Sequence, residues 1–220
     1  MVGLVLLVHG GLWDGTDAEL FWYRPGIVAG LEGAGLKVVA PDRARRPVDW
    51  AQDVVSFGGL LSSGVLGAEP VTVVGASNGC TVAALLAVEF PEAVGRLLLA
   101  WPATGGDPEV SARARVGLLE RGASGVVADG LLAGETLRGV TDAHLVSLGE
   151  YRGPWRPGLP VGVLPSVPEN PSHQRKTVDA LLRLMPSAIE LPGCPEPPRP
   201  DFGPHRDRLV ATLAAFAGGG

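Results

Sequence analysis

The hydrophobic positions of this chain form two alternating patterns, short uninterrupted apolar runs and longer stretches with apolar residues at helical spacing. Uninterrupted short runs are typical of strands that are buried on both faces of a sheet. They predict strands at residues 2–8, 36–42, 71–74, 94–101, 159–165 and 187–192. Helical spacing predicts helices at residues 21–35, 50–61, 81–90, 108–121, 125–137, 141–151, 172–185 and 206–217. This alternation indicates an α/β protein with a doubly wound, mostly parallel sheet and helices on both faces.

The run Gly75-Ala76-Ser77-Asn78-Gly79 lies where the third strand gives way to a helix. A serine in so sharp a turn adopts a strained backbone, which the two glycines allow because they have no side chains to clash with neighbouring elements. The free N–H groups at the start of the following helix would then face any oxyanion formed beside the hydroxyl. The alternative is an ordinary strand-to-helix turn with a capping serine.

The order of these motifs resembles that of the α/β-hydrolase superfamily. A His9-Gly10-Gly11 loop follows the first strand, Pro41-Asp42 ends the second, and Gly-x-Ser-x-Gly follows the third. The resemblance implies the α/β-hydrolase fold, with a core of residues 1–101 and 161–220. It also implies that residues 102–160, where strands stop and short helices replace them, form a small helical cap. A plain helical insertion that contributes only stability is the alternative.

The resemblance also implies a Ser-His-acid triad, with Ser77 as the nucleophile. The general base of the family lies between the last strand and the last helix, which is the position of His205. His173 is the second candidate, placed lower because it lies close in sequence to the acid. His9 and His144 are not expected to transfer protons, since His9 would brace its loop and His144 would lie in a cap helix.

The acid of the family lies on the loop after the fifth strand, where this chain has Glu169. The loop departs from the family pattern twice, because Ser166 replaces a glycine and a glutamate replaces the commoner aspartate. Glu169 could instead be a solvated loop carboxylate, and Asp107 is the reserve acid. Asp42 is expected to belong to a structural turn.

Backbone N–H groups would form the oxyanion hole of this family. The donors expected here are Asn78, directly after the nucleophile, and either Gly11 or Leu12, just past the first glycine. Trp13 and Trp101 are expected to line the substrate pocket, with Trp22 and Trp155 near its mouth or in the cap. These aromatic residues would favour a largely apolar substrate, and the alternative is that they belong to the core.

Composition restricts the partners of the protein. The chain has 220 residues, 46% of them hydrophobic, which suits one domain. Its net charge is -5 and its longest basic cluster covers residues 43–46, so no nucleic-acid partner is expected. No apolar run is long enough to span a membrane, and no signal peptide is recognised, so a cytoplasmic protein is expected. Cys80 and Cys194 form no disulfide framework or metal cluster.

The resemblance to the α/β-hydrolase superfamily therefore implies a serine hydrolase, most simply a carboxylic ester hydrolase. Its substrate would be a small, largely apolar ester, thioester or lactone, cleaved through an acyl-enzyme without a metal or organic cofactor. Two alternatives remain, a lyase or cyclase on the same fold and a ligand-binding protein on a hydrolase scaffold. The sequence leaves the acyl and leaving groups and the oligomeric state open.

Overall fold

A six-stranded sheet forms the centre of the protein in a computed structural model that describes residues 3–14, 16–67, 69–151 and 158–219. All of its strand pairs are parallel. The strands are β1 (Leu4–Val8), β2 (Lys37–Val39), β3 (Val71–Ala76), β4 (Val94–Ala100), β5 (Val161–Leu164) and β6 (Ile189–Glu190). Every residue of β3 and β5 is buried, as their uninterrupted apolar runs predict.

Helices connect these strands and cover both faces of the sheet. They are α1 (Ile27–Gly33), α2 (Ala51–Ser62), α3 (Gly79–Glu89), α4 (Pro108–Glu120), α5 (Gly125–Leu132), α6 (Asp142–Glu150), α7 (Arg175–Leu184) and α8 (Arg206–Gly218). None of the helices in the described ranges is long and apolar enough to cross a bilayer.

The strand order places the ends of β1 and β3 at the centre of one sheet edge. Along the sheet the order is β2, β1, β3, β4, β5, β6, so the chain reverses direction across the sheet between β1 and β3. In open parallel sheets, ligands bind beyond the carboxyl ends of the strands at such a switch point. The His-Gly-Gly loop and the Gly-x-Ser-x-Gly turn both begin there. The predicted doubly wound architecture is confirmed.

Each face of the sheet has its own hydrophobic cluster. Helices α1 and α8 pack on one face through residues such as Leu31 and Leu213. The other cluster contains residues of α2, α3 and α7, and also the fully buried Leu118, Leu131 and Leu145 from α4, α5 and α6. The three helices of the predicted cap thus share a core with the sheet. Their role as a cap stays a prediction.

Two helices differ from the sequence pattern. The predicted helix 21–35 is divided into a π-helical turn, Glu19–Tyr23, and α1, because Gly26 lies between them with φ of 78°. The predicted helix 172–185 begins only at Arg175, with Gln174 as its N-cap residue. His173 therefore lies in a loop, and this displacement changes the assignment of the site.

Candidate active site

Ser77 has the backbone geometry of a nucleophile elbow. Its φ is +53°, a left-handed conformation that is costly for a residue with a side chain. A Cβ on Gly75 would overlap the carbonyl oxygen of Gly79, and a Cβ on Gly79 would overlap that of Val8. Both glycines are therefore required by close backbone packing, which holds the serine turn in place.

The imidazole next to Ser77 belongs to His173. Its Nε2 lies 2.9 Å from Ser77 Oγ, and its Nδ1 lies 3.2 Å from Oε1 of Glu196. The His173 side chain is only 5% exposed, and that of Glu196 is 17% exposed. A hydroxyl, an imidazole and a carboxylate thus form one continuous chain of polar contacts at the carboxyl edge of the sheet.

Thr104 fixes the loop that carries His173. The Thr104 N–H donates to the carbonyl of Ser172 at 2.8 Å, and its Oγ1 accepts from the Gln174 N–H at 3.0 Å. These two bonds lie on either side of His173 in the chain. Because Thr104 is completely buried, the loop after β4 provides a rigid support for the imidazole.

Cys194 connects the loops after β5 and β6. Its carbonyl oxygen accepts hydrogen bonds from the Val167 N–H at 3.2 Å and from Trp101 Nε1 at 2.8 Å. Residues Ser166 and Cys194 also form an isolated parallel bridge. Since Glu196 follows Cys194 by two residues, this bridging brings the carboxylate of one loop to the histidine of the other.

The contact with the carboxylate favours one tautomer of the histidine. An ionised glutamate only accepts hydrogen bonds, so the contact with Glu196 favours a proton on Nδ1 of His173. The unprotonated Nε2 then faces Ser77 Oγ, as a general base requires. Asn170 Nδ2 also lies 3.1 Å from Nδ1, and a bond donated there would favour the opposite tautomer. The amide has an alternative acceptor in Ser166 Oγ, at 3.4 Å.

Two of the three expected oxyanion donors belong to residues that border the same cleft as Ser77. Asn78 is the N-cap residue of α3, and Gly11 has a φ of +89° at the end of the His-Gly-Gly loop. A Cβ on Gly10 would lie only 3.0 Å from the Ser77 Cβ, so this loop passes directly beside the serine. Leu12 borders a different depression and packs against the core.

His9 braces the loop, in agreement with the expectation from sequence. Its Nδ1 lies 2.7 Å from the Gly10 carbonyl, and its Nε2 accepts from the Arg43 N–H at 2.9 Å. Burial lowers the pKa of His9, which keeps the ring neutral. Nη1 of Arg43 also donates to the Gly11 carbonyl at 2.7 Å, while Asp53 neutralises the guanidinium at 2.9 Å.

The cleft at Ser77 has a volume of about 260 Å³. Its lining is mostly polar and consists of Gly11, Thr16, Phe21, Ser77, Asn78, Arg138, Asn170, Ser172, His173, Glu196, Pro197, Pro198 and Arg199. The volume is below the ~300–1,000 Å³ that is typical of pockets for drug-sized ligands.

The tryptophans do not form the pocket that the sequence analysis expected. Trp101 is completely buried, donates to the Cys194 carbonyl and packs beside Phe21, so its ring belongs to the core. Trp13 packs in the larger hydrophobic cluster, and neither residue lines the cleft at Ser77. Trp22 is also completely buried. Trp155 lies outside the described residues.

The expected base, His205, is not beside Ser77. It lies in the short 3-10 turn before α8, its N–H donates to the Phe202 carbonyl, and it does not line the cleft. The reserve histidine, His173, takes the position next to the serine. His144 is exposed on α6.

The two expected acids are also displaced from the histidine. Glu169 is exposed and its carboxylate accepts from the Arg175 N–H at 2.7 Å, at the start of α7. Asp107 caps α4 by accepting from Glu109 and Val110, and it pairs with Lys176 at 2.6 Å. Each carboxylate instead accepts hydrogen bonds from backbone N–H groups at the start of a helix. Asp42 accepts from the Ala18 N–H, which agrees with a structural turn.

The two residues that form the polar chain with Ser77 lie in loops where the sequence predicts the other residue. His173 follows β5, and Glu196 lies among prolines after β6, so the acid and the histidine occupy each other's expected loops. The chain order is therefore serine, histidine, acid.

Among the described residues, no group of three or more His, Cys, Asp or Glu side chains is arranged to hold a metal ion.

Comparisons with known proteins find matches among solved structures only. No protein-family model matches the sequence, and no curated protein matches it. Solved structures do match: a meta-cleavage product hydrolase from Pseudomonas fluorescens is 16% identical with a TM-score of 0.68, covering 99% of this chain and 92% of its own. An α/β-hydrolase enzyme from a lagoon-sediment metagenome is 16% identical with a TM-score of 0.65, covering 100% and 92%.

A thioesterase domain from the curacin biosynthetic pathway extends this likeness to a third kind of enzyme. It is 16% identical with a TM-score of 0.59, covering 98% of this chain and 90% of that domain. These neighbours carry the names of different enzymes on one architecture, and their likeness extends over the whole chain. Together with the parallel sheet and the serine elbow at its switch point, they show that the chain has the α/β-hydrolase fold.

Proposed function

We propose that this protein is a serine hydrolase that cleaves a small ester, thioester or lactone through an acyl-enzyme. The observation that carries the proposal is the chain of contacts from Ser77 Oγ to His173 Nε2 and from His173 Nδ1 to Glu196. A serine hydroxyl alone is a weak nucleophile, and an adjacent imidazole that is oriented by a carboxylate activates it. The hydrolase names of the structural neighbours support the same reaction class.

Each residue has a role in the proposed reaction. Ser77 attacks the carbonyl carbon while His173 takes its proton, and Glu196 stabilises the imidazolium that forms. The N–H groups of Asn78 and Gly11 hold the oxyanion, each being worth ~3 kcal/mol of barrier in comparable sites. His173 then protonates the leaving group, and water, activated by the same imidazole, releases the acid.

The expected preference for an apolar substrate loses its support, because Trp13 and Trp101 do not line the cleft. The size of the cleft still favours a small-molecule substrate. Neither the reaction nor the substrate requires a metal or organic cofactor in this proposal.

A fluorophosphonate tests the nucleophile directly. We expect rapid labelling with one equivalent at Ser77, seen by intact mass spectrometry and located by peptide mapping. Ser77→Ala should abolish both labelling and ester turnover without lowering the melting temperature, because the hydroxyl contributes little to packing. If the wild-type protein resists the probe and a panel of short esters, thioesters and lactones, the hydrolase proposal is wrong. A lyase or cyclase reaction, or ligand binding alone, would then replace it.

A further inference from the structure

Arg138 is a buried cation that lines the cleft at Ser77 but plays no part in the proposed reaction. It follows α5 in the predicted cap and is only 4% exposed. Its backbone is anchored on both sides, because its N–H donates to the Ala103 carbonyl at 3.1 Å and its carbonyl accepts from Thr81 Oγ1 at 2.6 Å. The guanidinium is therefore held in place at the wall of the cleft.

The guanidinium of Arg138 has only neutral partners. Nη1 donates to Asn78 Oδ1 at 3.0 Å and Nη2 to the Thr104 carbonyl at 3.4 Å, whereas Nε is buried without a partner. Within the described part of the chain, no carboxylate forms an ion pair with it. The one carboxylate in the lining of the cleft, Glu196, is paired with His173.

Arg43 shows how this protein stabilises a buried guanidinium elsewhere. Its partner Asp53 is equally buried, and the two form a short ion pair at 2.9 Å. Buried charges are normally paired in this way, since an unpaired charge loses its hydration without compensation. Burial lowers the pKa of Arg138 to about 10, so the group still carries its charge at neutral pH. Arg138 has no such partner among the described residues, so its charge at the wall of the cleft is available to an anionic ligand.

We propose that Arg138 binds a carboxylate of the substrate, so that the protein acts on the half-esters, thioesters or lactones of small dicarboxylic acids. Guanidinium binds carboxylate by paired, charge-assisted hydrogen bonds, and each terminal nitrogen of Arg138 has a second N–H beyond the one donated to Asn78 or to Thr104. Asn78, which Arg138 contacts, follows Ser77 directly, so the anion lies a short distance from the reacting carbonyl. This inference rests on the proposed function for its reaction, but the anion site itself does not.

Arg138 could alternatively serve only to position Asn78. That role would change the turnover of all substrates equally, because the oxyanion donor is common to them. A carboxylate site instead affects only substrates with a carboxylate. The comparison between charged and neutral esters of the same length therefore separates the two roles.

The kinetic test uses monomethyl esters of C4 to C6 dicarboxylic acids and methyl esters of the matching monocarboxylic acids. We expect wild-type kcat/KM to favour at least one half-ester by about 10- to 100-fold, chiefly through KM. Arg138→Met should abolish this preference and Arg138→Lys should retain part of it. Arg115→Met is the matched control, because Arg115 lies in the same segment, is paired with Asp129 and does not line the cleft. It should change the preference less than about twofold.

Binding to the Ser77→Ala variant keeps the anion site testable without turnover. Calorimetry should show that the preferred half-ester binds at least about 10-fold more weakly after Arg138→Met is added. Circular dichroism and the melting temperature verify that Arg138→Met is folded before its activities are compared. Equal loss for charged and neutral esters, or unchanged binding, would overturn the carboxylate site. Arg138-dependent binding without any hydrolysis would instead overturn the proposed function and leave this site standing.

Discussion

At the scale of single residues, the proposed chemistry depends on which carboxylate orients His173. Glu196→Gln should lower kcat by several orders of magnitude, because an amide can leave the imidazole in the wrong tautomer. Glu169→Gln is the matched control and should retain nearly full activity, since the Glu169 carboxylate accepts from the Arg175 N–H at the start of α7 and does not line the cleft. Initial rates on one short ester, with circular dichroism to verify folding, decide the matter. An inactive Glu169→Gln beside an active Glu196→Gln would restore the assignment made from sequence.

The identity of the general base can be tested in the same way. His173→Ala should be inactive and His205→Ala nearly fully active, because of these two histidines only His173 contacts Ser77.

Asn170→Ala tests the competing contact at Nδ1 of His173. If the tautomer is set by Glu196, as we propose, removal of this amide should reduce kcat by less than about 10-fold, whereas a larger loss would mean that Asn170 orients the ring.

The sequence predicts the serine and its backbone surroundings but not its side-chain partners. Ser77 and the flanking glycines are local in sequence, and the physical requirement for small residues in the turn is visible in five letters. The histidine and the acid come from loops 96 and 119 residues away, counted from Ser77 to His173 and Glu196. Their positions depend on where α7 begins and on the bridge between Ser166 and Cys194, which no local pattern reveals.

At the scale of secondary-structure elements, the long apolar runs and helical faces are predicted well, and the ends are not. β3 and β4 lie where their runs predict them, because short uninterrupted apolar runs between turn residues favour strands covered on both faces. The start of α7 moves from residue 172 to Arg175, because Thr104 bonds to Ser172 and Gln174, on either side of His173, and holds this loop outside the helix. Such tertiary hydrogen bonds override the local helical pattern.

The capping carboxylate of α4 gives an element-scale prediction. Asp107 accepts from the first N–H groups of the helix and pairs with Lys176, and chiefly because of Lys176 its pKa falls to about 2. Asp107→Ala should lower the melting temperature by about 2–4 °C. Asp107→Asn should lower it less, because asparagine also caps helices but cannot pair with the lysine.

The pH dependence of this effect has a definite sign. The folded-state pKa of Asp107 is below its usual value, so the carboxylate stabilises the fold fully above pH ~4 and progressively less as pH falls toward about 2. The stability difference between the wild-type protein and Asp107→Asn should therefore shrink over that range in urea unfolding curves. A difference that is constant with pH would contradict the charge pair.

At the scale of the whole molecule, the sheet and the predicted cap share one hydrophobic cluster. Buried side chains of α4, α5 and α6 lie in the same cluster as those of α2, α3 and α7. A segment that packs in this way contributes to global stability and not only to covering a pocket. Arg138 shows how it can do both, because the same segment supplies a lining residue of the cleft.

Substitutions in α5 test whether residues 102–160 unfold with the rest of the protein. Leu131 is completely buried in the shared cluster, so Leu131→Ala should lower the free energy of unfolding by about 2–5 kcal/mol through lost burial and a cavity. Val126 lies on the same helix but is 85% exposed, and Val126→Ala should change it by less than about 0.5 kcal/mol.

The number of steps in the unfolding transition shows whether the segment and the sheet unfold together. If the segment and the sheet are one cooperative unit, tryptophan fluorescence and far-ultraviolet circular dichroism should give coincident urea transitions in both variants, with Leu131→Ala shifting the whole curve. An independent cap would instead unfold in a separate step, and Leu131→Ala would move that step alone while the labelling of Ser77 by a fluorophosphonate persisted beyond it. Coincident curves with simultaneous loss of labelling would mean that the predicted cap and the serine turn unfold together as one cooperative unit.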